Sequence, residues 1–213
     1  IPETRPPEWL GESVPQASHL LLIGEEGFGD VIQFIRFVPL LRNKFQKISL
    51  LVSPKLESIT KSSGFFDNVI TDKNEQTKEM THSLPLLSIP HRLQIINPEK
   101  FHAKPYIHIH KEQLASWRKR LSERSSGPLI AINWQGNLSS ESPMGTHRER
   151  SFDIKDLENI AMLSRVDLIS IQVGTAKNAI RNSFLKKRLV KAQEFFDVTE
   201  ITFETTGAVI SNC

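Results

Sequence analysis

A single carboxylate, Asp30, follows three glycines that fall within six residues, at Gly24, Gly27 and Gly29. The apolar run 19–23 leads into these glycines, and apolar residues at helical spacing follow Asp30. A buried strand, a tight loop and a helix start form the opening unit of a doubly wound α/β domain. Glycines let the chain turn sharply and let a ligand approach the main chain. The first N–H groups of the helix then point into the loop. The stretch therefore predicts a ligand site after the first strand.

Three kinds of site fit a glycine loop in this position. A phosphate-binding P-loop ends in Gly-Lys-Ser/Thr, and here Gly29 is followed by Asp30, so that site is excluded. A dinucleotide fingerprint needs a third glycine where Ile32 stands and an acid where the second strand ends in Ser53-Pro54-Lys55, which disfavours NAD. The third is a reactive carboxylate at the mouth of the domain. Its alternative is that Asp30 only caps the helix, and spacing alone favours the cap.

The rest of the chain alternates between strand and helix patterns, as a doubly wound fold requires. Residues 84–89 are apolar between two prolines, which predicts a buried turn or short helix. Strands are expected at 48–52, 68–70, 106–110, 129–134 and 167–172, and helices at 30–43, 55–62, 111–125, 153–163, 177–184 and from 203 to 210.

Domain boundaries are indicated by proline, glycine and serine. Residues 1–18 are Pro-rich and polar and are expected to form a lead-in segment on the surface, with Trp9 as its anchor. The segment Ser125-Ser-Gly-Pro128 precedes a restart of the strand–helix rhythm. We therefore predict a first α/β domain at 19–126 and a second at 127–213.

Composition limits the classes of function. With 213 residues, 38% apolar and 24% charged, the chain can form one large or two small globular domains. A net charge of +3 gives no reason to expect nucleic acid binding. No apolar run reaches membrane-span length, and no signal peptide is visible. The one cysteine, Cys213, permits no intrachain disulfide, which suits a cytoplasmic protein. The chain begins at Ile1, so we expect a piece of a longer protein or a processed one.

The sequence resembles the glycosyltransferase domains often found behind tetratricopeptide repeats, which are related to the heptosyltransferases of glycosyltransferase family 9. The family segment EQGLGD-x-IQF-x-R is matched by Glu26, Gly27, Gly29, Asp30, Ile32, Gln33, Phe34 and Arg36. Further similar segments follow the family order: Trp9-Leu-Gly11, Pro85-Leu-Leu-Ser-Ile-Pro90, Pro105-Tyr106, Ile132-Asn-Trp-Gln-Gly-Asn137 and Arg150-Ser151. The chain departs from the pattern where Glu25 precedes Glu26, where Glu26-Gly27 replaces Gln-Gly, and where Gln135 replaces a small residue.

The resemblance implies a GT-B architecture, in which two tandem Rossmann-like domains enclose an active cleft. The first would lie on the acceptor side and the second on the nucleotide-sugar side. In the family, the segment resembling 203–210 is followed by a further strand and a donor-side loop, so the second domain is expected to be incomplete here. We accordingly expect the 213 residues alone to be inactive and to bind nucleotide sugars poorly.

The resemblance also assigns roles to single residues. Asp30 would be the general base of an inverting, metal-independent transfer that needs no cofactor. Substrate-binding roles pass to residues near it and to others along the chain: Gly27, Phe28, Gly29, Gln33, His82, Trp134, Gly136, Asn137, Arg148 and Arg150. The fork of donors on each arginine suits the donor diphosphate, with an exposed salt-bridged loop as the alternative. His82 could line the cleft or lie in a surface loop.

Two histidines, His108 and His110, alternate along a predicted strand and so share one face, where they could hold a metal. No Cys, Asp or Glu neighbours them closely enough to complete a site, so no metal is predicted. The resulting interpretation is a glycosyltransferase that moves a sugar from a nucleotide sugar to a glycan or protein hydroxyl, with possible upstream tetratricopeptide repeats. The alternative is a non-catalytic glycan- or protein-binding module on a degenerate GT-B fold.

Overall fold

The computed structural model describes residues 5–25, 27–72, 79–97, 104–122, 127–136, 151–162 and 166–213. Their contacts divide the chain into two compact units, Ile1–His108 and Ile109–Cys213. None of the helices in these ranges is long and apolar enough to span a membrane.

The first unit contains a parallel sheet in the order β3-β2-β1-β4. Every residue of β1 is buried, as expected for a central parallel strand covered on both faces. This order is that of the first strands of a doubly wound fold, and it places the topological switch point between β1 and β4. The strands are β1 (His19–Ile23), β2 (Lys47–Leu51), β3 (Asn68–Ile70) and β4 (His82–Pro85).

Short helices connect these strands. Helix α1 (Phe28–Phe34) continues as a 3-10 helix, Ile35–Leu41, which contains Pro39 and so lacks one backbone donor. A 3-10 turn, Leu86–Ser88, follows β4 and runs into α3 (Ile89–Arg92), with Leu86 and Ile89 buried. The buried turn predicted at 84–89 is therefore confirmed for residues 86–89, whereas Leu84 and Pro85 belong to β4. After β2, the 3-10 turn Pro54–Leu56 leads into α2 (Glu57–Lys61).

The lead-in segment is part of the first unit. The Trp9 amide donates to the Ser83 carbonyl (2.9 Å), and the Ser83 amide donates to the Pro7 carbonyl (2.8 Å). Trp9 is fully buried and sets its ring edge against Phe45 at a centroid distance of 5.3 Å. An ion pair between Arg92 and Glu8 (2.8 Å) fixes the same segment to α3. Residues 6–9 thus extend the sheet beyond β4, and Trp9 is the anchor that was predicted.

Within its described residues, the second unit has two parallel strands, β5 (Leu129–Ile132) and β6 (Asp167–Ser170). An isolated bridge between Leu168 and Leu189 extends this sheet. Around it lie α4 (Lys111–Ser122), α5 (Ala192–Val198), α6 (Phe203–Ile210) and the 3-10 helices Ile154–Met162, Thr175–Asn182 and Phe184–Arg188.

Some predicted elements differ from those observed. Residues 106–110 form no strand, because no neighbouring strand pairs with them in the described part of the chain. The helices expected at 153–163 and 177–184 are 3-10 helices over most of their length. Helix α4 was expected in the first domain, whereas it packs on α6 through Trp117 and Leu121 and belongs to the second unit. The unit boundary in the structure therefore precedes α4, while 19–126 and 127–213 remain predicted functional domains.

His19 gives the first unit a pH-dependent stability. Burial, assisted by the positive charge of Lys47, lowers the pKa of His19, and its Nε2 lies 2.8 Å from the Ser49 hydroxyl. Between the lowered pKa and the unfolded value near 6.5, the unfolded chain binds more protons, so stability falls as the pH is lowered through this window.

We expect the unfolding free energy to decrease below about pH 6.5 with a slope of at most about 1.4 kcal/mol per pH unit from this group. Urea titrations between pH 7.5 and 5 would measure it. His19→Gln should flatten the profile, while His91→Gln, at an exposed histidine, should not. Identical slopes in the wild type and His19→Gln would contradict the assignment.

Candidate functional site

The glycine loop begins at the carboxyl end of β1, where Gly24 continues the pairing of β1 with β2. The Gly24 amide donates to the Leu51 carbonyl at 2.8 Å. A Cβ atom on Gly24 would lie 2.8 Å from Val52 Cγ1 and 3.0 Å from the Leu51 carbonyl oxygen. Glycine at this position is therefore required by close packing within the fold.

Asp30 occupies the third position of α1, and Gly27 is the N-cap. Its Oδ2 accepts a hydrogen bond from the Gly27 amide (3.0 Å), as the acid of a capping box does. The side chain is half-buried, and among the described residues its second oxygen has no hydrogen-bond partner. The capping role and the reactive role of Asp30 are therefore compatible. One carboxylate oxygen accepts the hydrogen bond that caps the helix, and the other can accept a proton or a further hydrogen bond.

Exposed residues surround this carboxylate. Gly27, Phe28 and Gly29 form a consecutive exposed run, in which the Phe28 ring is 39% exposed. Gln33 is exposed and lies three residues beyond Asp30, on the same side of the helix. The 3-10 turn that follows β4 packs on α1. Since α1 follows β1 and this turn follows β4, the surface lies at the topological switch point, where doubly wound domains bind ligands.

Gly29 differs from Gly24 in what its environment demands. A Cβ atom on Gly29 would have no heavy atom within 4 Å, and its backbone is not in the left-handed region. The fold therefore does not require glycine at Gly29, whereas a ligand lying against the main chain would.

These two glycines give a paired prediction. Gly29→Ala should raise the unfolding free energy by about 0.5–1 kcal/mol, because alanine is the better helix former. Gly24→Ala should lower it by about 1–3 kcal/mol through overpacking against the β2 main chain. Denaturant unfolding of both variants measures the two changes in unfolding free energy. If both variants shifted it in the same direction, the contrast drawn between the two glycines would be wrong.

Trp134, expected to bind substrate, is instead a core residue. Its side chain is 3% exposed and packs in a hydrophobic cluster of the second unit. The reason lies in the alternation of β5: Trp134 stands two residues after Ile132 and shares its buried side. Its indole therefore packs with Ile132 in this cluster and exposes almost no surface to a ligand.

The backbone at that edge is held by Gln172, which no motif or spacing in the sequence singles out. Its Oε1 accepts from the amides of Trp134 (3.1 Å) and Gln135 (2.9 Å), and its Nε2 donates to the Gln135 carbonyl (3.0 Å). The Gly136 amide donates to the Ser151 hydroxyl (3.2 Å), and Gly136 is exposed. This bonding fixes the loop after β5 up to Gly136.

Three predicted residues, Asn137, Arg148 and Arg150, lie outside the described residues and stay predictions. His82 is described, and the structure does not bring it to the glycine loop. His82 pairs with Leu20 in the parallel register, which places it near the amino end of β4, at the opposite edge of the sheet. Its Nδ1 lies 2.8 Å from the Thr81 hydroxyl, and its ring contacts Phe45. His82 therefore lies away from the glycine loop.

The two histidines considered for a metal fall in different units, His108 in the first and His110 in the second. His110 Nε2 lies 3.6 Å from a Glu204 carboxylate oxygen. Within the described ranges, no group of three or more His, Cys, Asp or Glu could hold a metal ion.

No protein-family model matches the chain, and no curated protein matches it in sequence. Two solved structures are similar in fold. A glycosyl transferase of family 9 from Veillonella parvula DSM 2008 matches with a TM-score of 0.59 and 11% identity, over 95% of this chain and 76% of that one. The ADP-heptose LPS heptosyltransferase II of E. coli matches with a TM-score of 0.52 and 10% identity, over 92% and 77%. The chain therefore shares the heptosyltransferase-like α/β fold of tandem Rossmann-like units, of GT-B type, that its sequence predicted.

Proposed function

We propose that this chain belongs to a glycosyltransferase that moves a sugar from a nucleotide sugar to a hydroxyl of a glycan or protein acceptor. The observation that carries the proposal is the position of Asp30, a half-buried carboxylate with one oxygen unpaired among the described residues, after β1 at the switch point. Support comes from the two structural neighbours, both glycosyltransferases, of which the E. coli enzyme is named for ADP-heptose.

The exposed loop beside Asp30 suits substrate binding. Gly29 is a glycine that the fold does not require, and Gly27 and Phe28 are exposed with it. A ligand could therefore approach the main chain within reach of the carboxylate. Gln33 adds an exposed amide on the same side of the helix, which can donate to and accept from sugar hydroxyls.

The proposed chemistry is a single displacement. Asp30 takes the proton of the acceptor hydroxyl while that oxygen forms a bond to the anomeric carbon. The bond from this carbon to the diphosphate oxygen breaks, and the electron pair leaves with the nucleoside diphosphate. Attack opposite the leaving group inverts the anomeric centre. Arg148 and Arg150 are proposed to receive the developing negative charge, so that no metal or cofactor is needed.

The test is turnover by the full-length protein, offered a panel of ADP-, GDP- and UDP-sugars with glycan and peptide acceptors. Release of a nucleoside diphosphate that requires both donor and acceptor would support the proposal. Binding of a glycan or peptide without release from any donor would instead favour the non-catalytic module. Loss of donor-dependent release in Asp30→Asn is the further requirement that ties activity to this site.

A further inference from the structure

The first unit contains a cavity that the proposed transfer does not use. It has a volume of about 280 Å³, and it is lined by Arg36, Pro39, Phe65, Lys104, Pro105, Tyr106 and His108. Three of these side chains can carry positive charge, and no Asp or Glu is among them. From this geometry we infer a binding site for a small phosphomonoester, that is, a phosphate group attached to one compact apolar or ring-shaped body.

The cavity is formed where the extended segment 104–108 crosses the helical layer of the first unit. The Tyr106 hydroxyl donates to the Ile32 carbonyl at 2.9 Å, and the His108 amide donates to the Ser62 hydroxyl oxygen at 3.2 Å. The Tyr106 ring also stacks on Phe65, with a centroid distance of 6.1 Å and an interplanar angle of 27°. These contacts hold the segment in place, so the cavity is preformed.

Arg36 provides an oriented cationic group. Its Nε donates to the Gln33 carbonyl at 2.7 Å, which fixes the guanidinium. Within the described residues its two terminal nitrogens make no hydrogen bond, so they can donate to a ligand. Among the described residues, no carboxylate lies within ion-pair distance of Arg36 or Lys104. The nearby acid Asp67 is paired with a different arginine, Arg42, at 2.7 Å. The positive charge at the cavity is therefore not neutralised from within the described protein.

The chemistry of the lining favours phosphate over a neutral group. A guanidinium matches the oxygens of a phosphate with paired donors, and an ammonium adds a point charge. Two cationic side chains balance the dianion of a phosphomonoester, with His108 as a further donor. The stacked Phe65 and Tyr106 rings and the two prolines offer apolar surface to the body that carries the phosphate. The volume equals that of about nine waters at roughly 30 Å³ each, enough for a phosphate and one ring.

Phenyl phosphate is the test ligand, and its binding is measured by NMR chemical shifts or calorimetry at low salt. Inorganic phosphate and benzyl alcohol are the comparison ligands, because each carries only one of its two groups. We expect a Kd on the order of 1 mM, as befits a ligand of this size, and weaker binding of both comparison ligands. Arg36→Gln and Lys104→Gln should each weaken binding by about tenfold or more through loss of a charge-assisted contact. Lys47→Gln, which removes an exposed charge elsewhere in the same unit, should bind as the wild type does.

The inference is independent of the proposed transferase activity, because the measurement needs no sugar donor and Asp30→Asn should bind phenyl phosphate normally. It is overturned if no binding is detected at phenyl phosphate concentrations well above the expected Kd. It is also overturned if Arg36→Gln and Lys104→Gln, shown to be folded by thermal unfolding, bind as the wild type does, or if Lys47→Gln loses as much affinity as they do.

Discussion

Asp30→Asn in the full-length protein should lower turnover by about 10²–10⁴ while leaving the melting temperature nearly unchanged. The two effects separate because the side chain has two tasks. Asparagine keeps a side-chain oxygen that can accept the Gly27 amide, now bonded to Asp30 Oδ2 at 3.0 Å. The amide has no basic oxygen at neutral pH, so it cannot take the proton of an acceptor hydroxyl.

The experiment measures thermal unfolding and nucleoside diphosphate release side by side. Asp156→Asn is the matched control, since it makes the same chemical change at an exposed aspartate of the second unit and should alter neither quantity. Asp30→Ala separates the tasks further, because it also removes the acceptor of the Gly27 amide and should cost about 0.5–1.5 kcal/mol of stability through the lost hydrogen bond. Full turnover by a normally folded Asp30→Asn variant would leave Asp30 as a helix cap without a catalytic role.

The features around Asp30 could be predicted because they depend on neighbours in sequence. The run 19–23 is apolar from Leu20 to Ile23, as suits a central parallel strand, and this pattern predicts β1 at the residues where it is observed. Within the predicted turn at 84–89, residues 86–89 are observed as a buried turn, because the side chains of Leu86 and Ile89 are wholly apolar and pack inside. The glycines followed by a helical pattern predict the start of α1 at residue 30, two residues after its observed start at Phe28.

The predictions that failed concern features that depend on which segments, distant in sequence, lie next to each other in the fold. Residues 106–110 alternate as a strand does, but a strand needs a partner ladder, and the described chain supplies none there. His82 precedes a loop near the switch point in sequence, yet the register with Leu20 assigns it to the far edge of the sheet. The Gln172 side chain hydrogen-bonds to the amides of Trp134 and Gln135 and so joins the loops after β5 and β6. These residues are 38 and 37 positions from Gln172 in sequence, a separation that periodicity cannot detect. The burial of Trp134 could have been predicted from the sequence, because Trp134 stands two residues after Ile132 in a strand and so shares its buried face.

Trp9→Ala should have the largest effect on stability, a loss of about 3–5 kcal/mol. The indole is fully buried, contacts Phe45 edge to face at 5.3 Å, and donates its Nε1 hydrogen to the Glu12 carbonyl at 2.9 Å. Alanine would leave a cavity in place of the ring and would leave that carbonyl without its donor. For a chain of this size, the loss corresponds to a fall in Tm of roughly 6–20 °C.

The neighbouring residue offers the control, because Leu10 is 65% exposed and Leu10→Ala should change the unfolding free energy by less than about 0.5 kcal/mol. Hydrogen exchange adds a local measurement. The amides of Trp9 and Ser83 pair the lead-in segment with β4, so both should exchange faster in Trp9→Ala even well below its Tm. A Trp9→Ala variant as stable as Leu10→Ala would mean that the lead-in segment is held by its backbone pairing and by the ion pair of Glu8 with Arg92, with no need for the anchor.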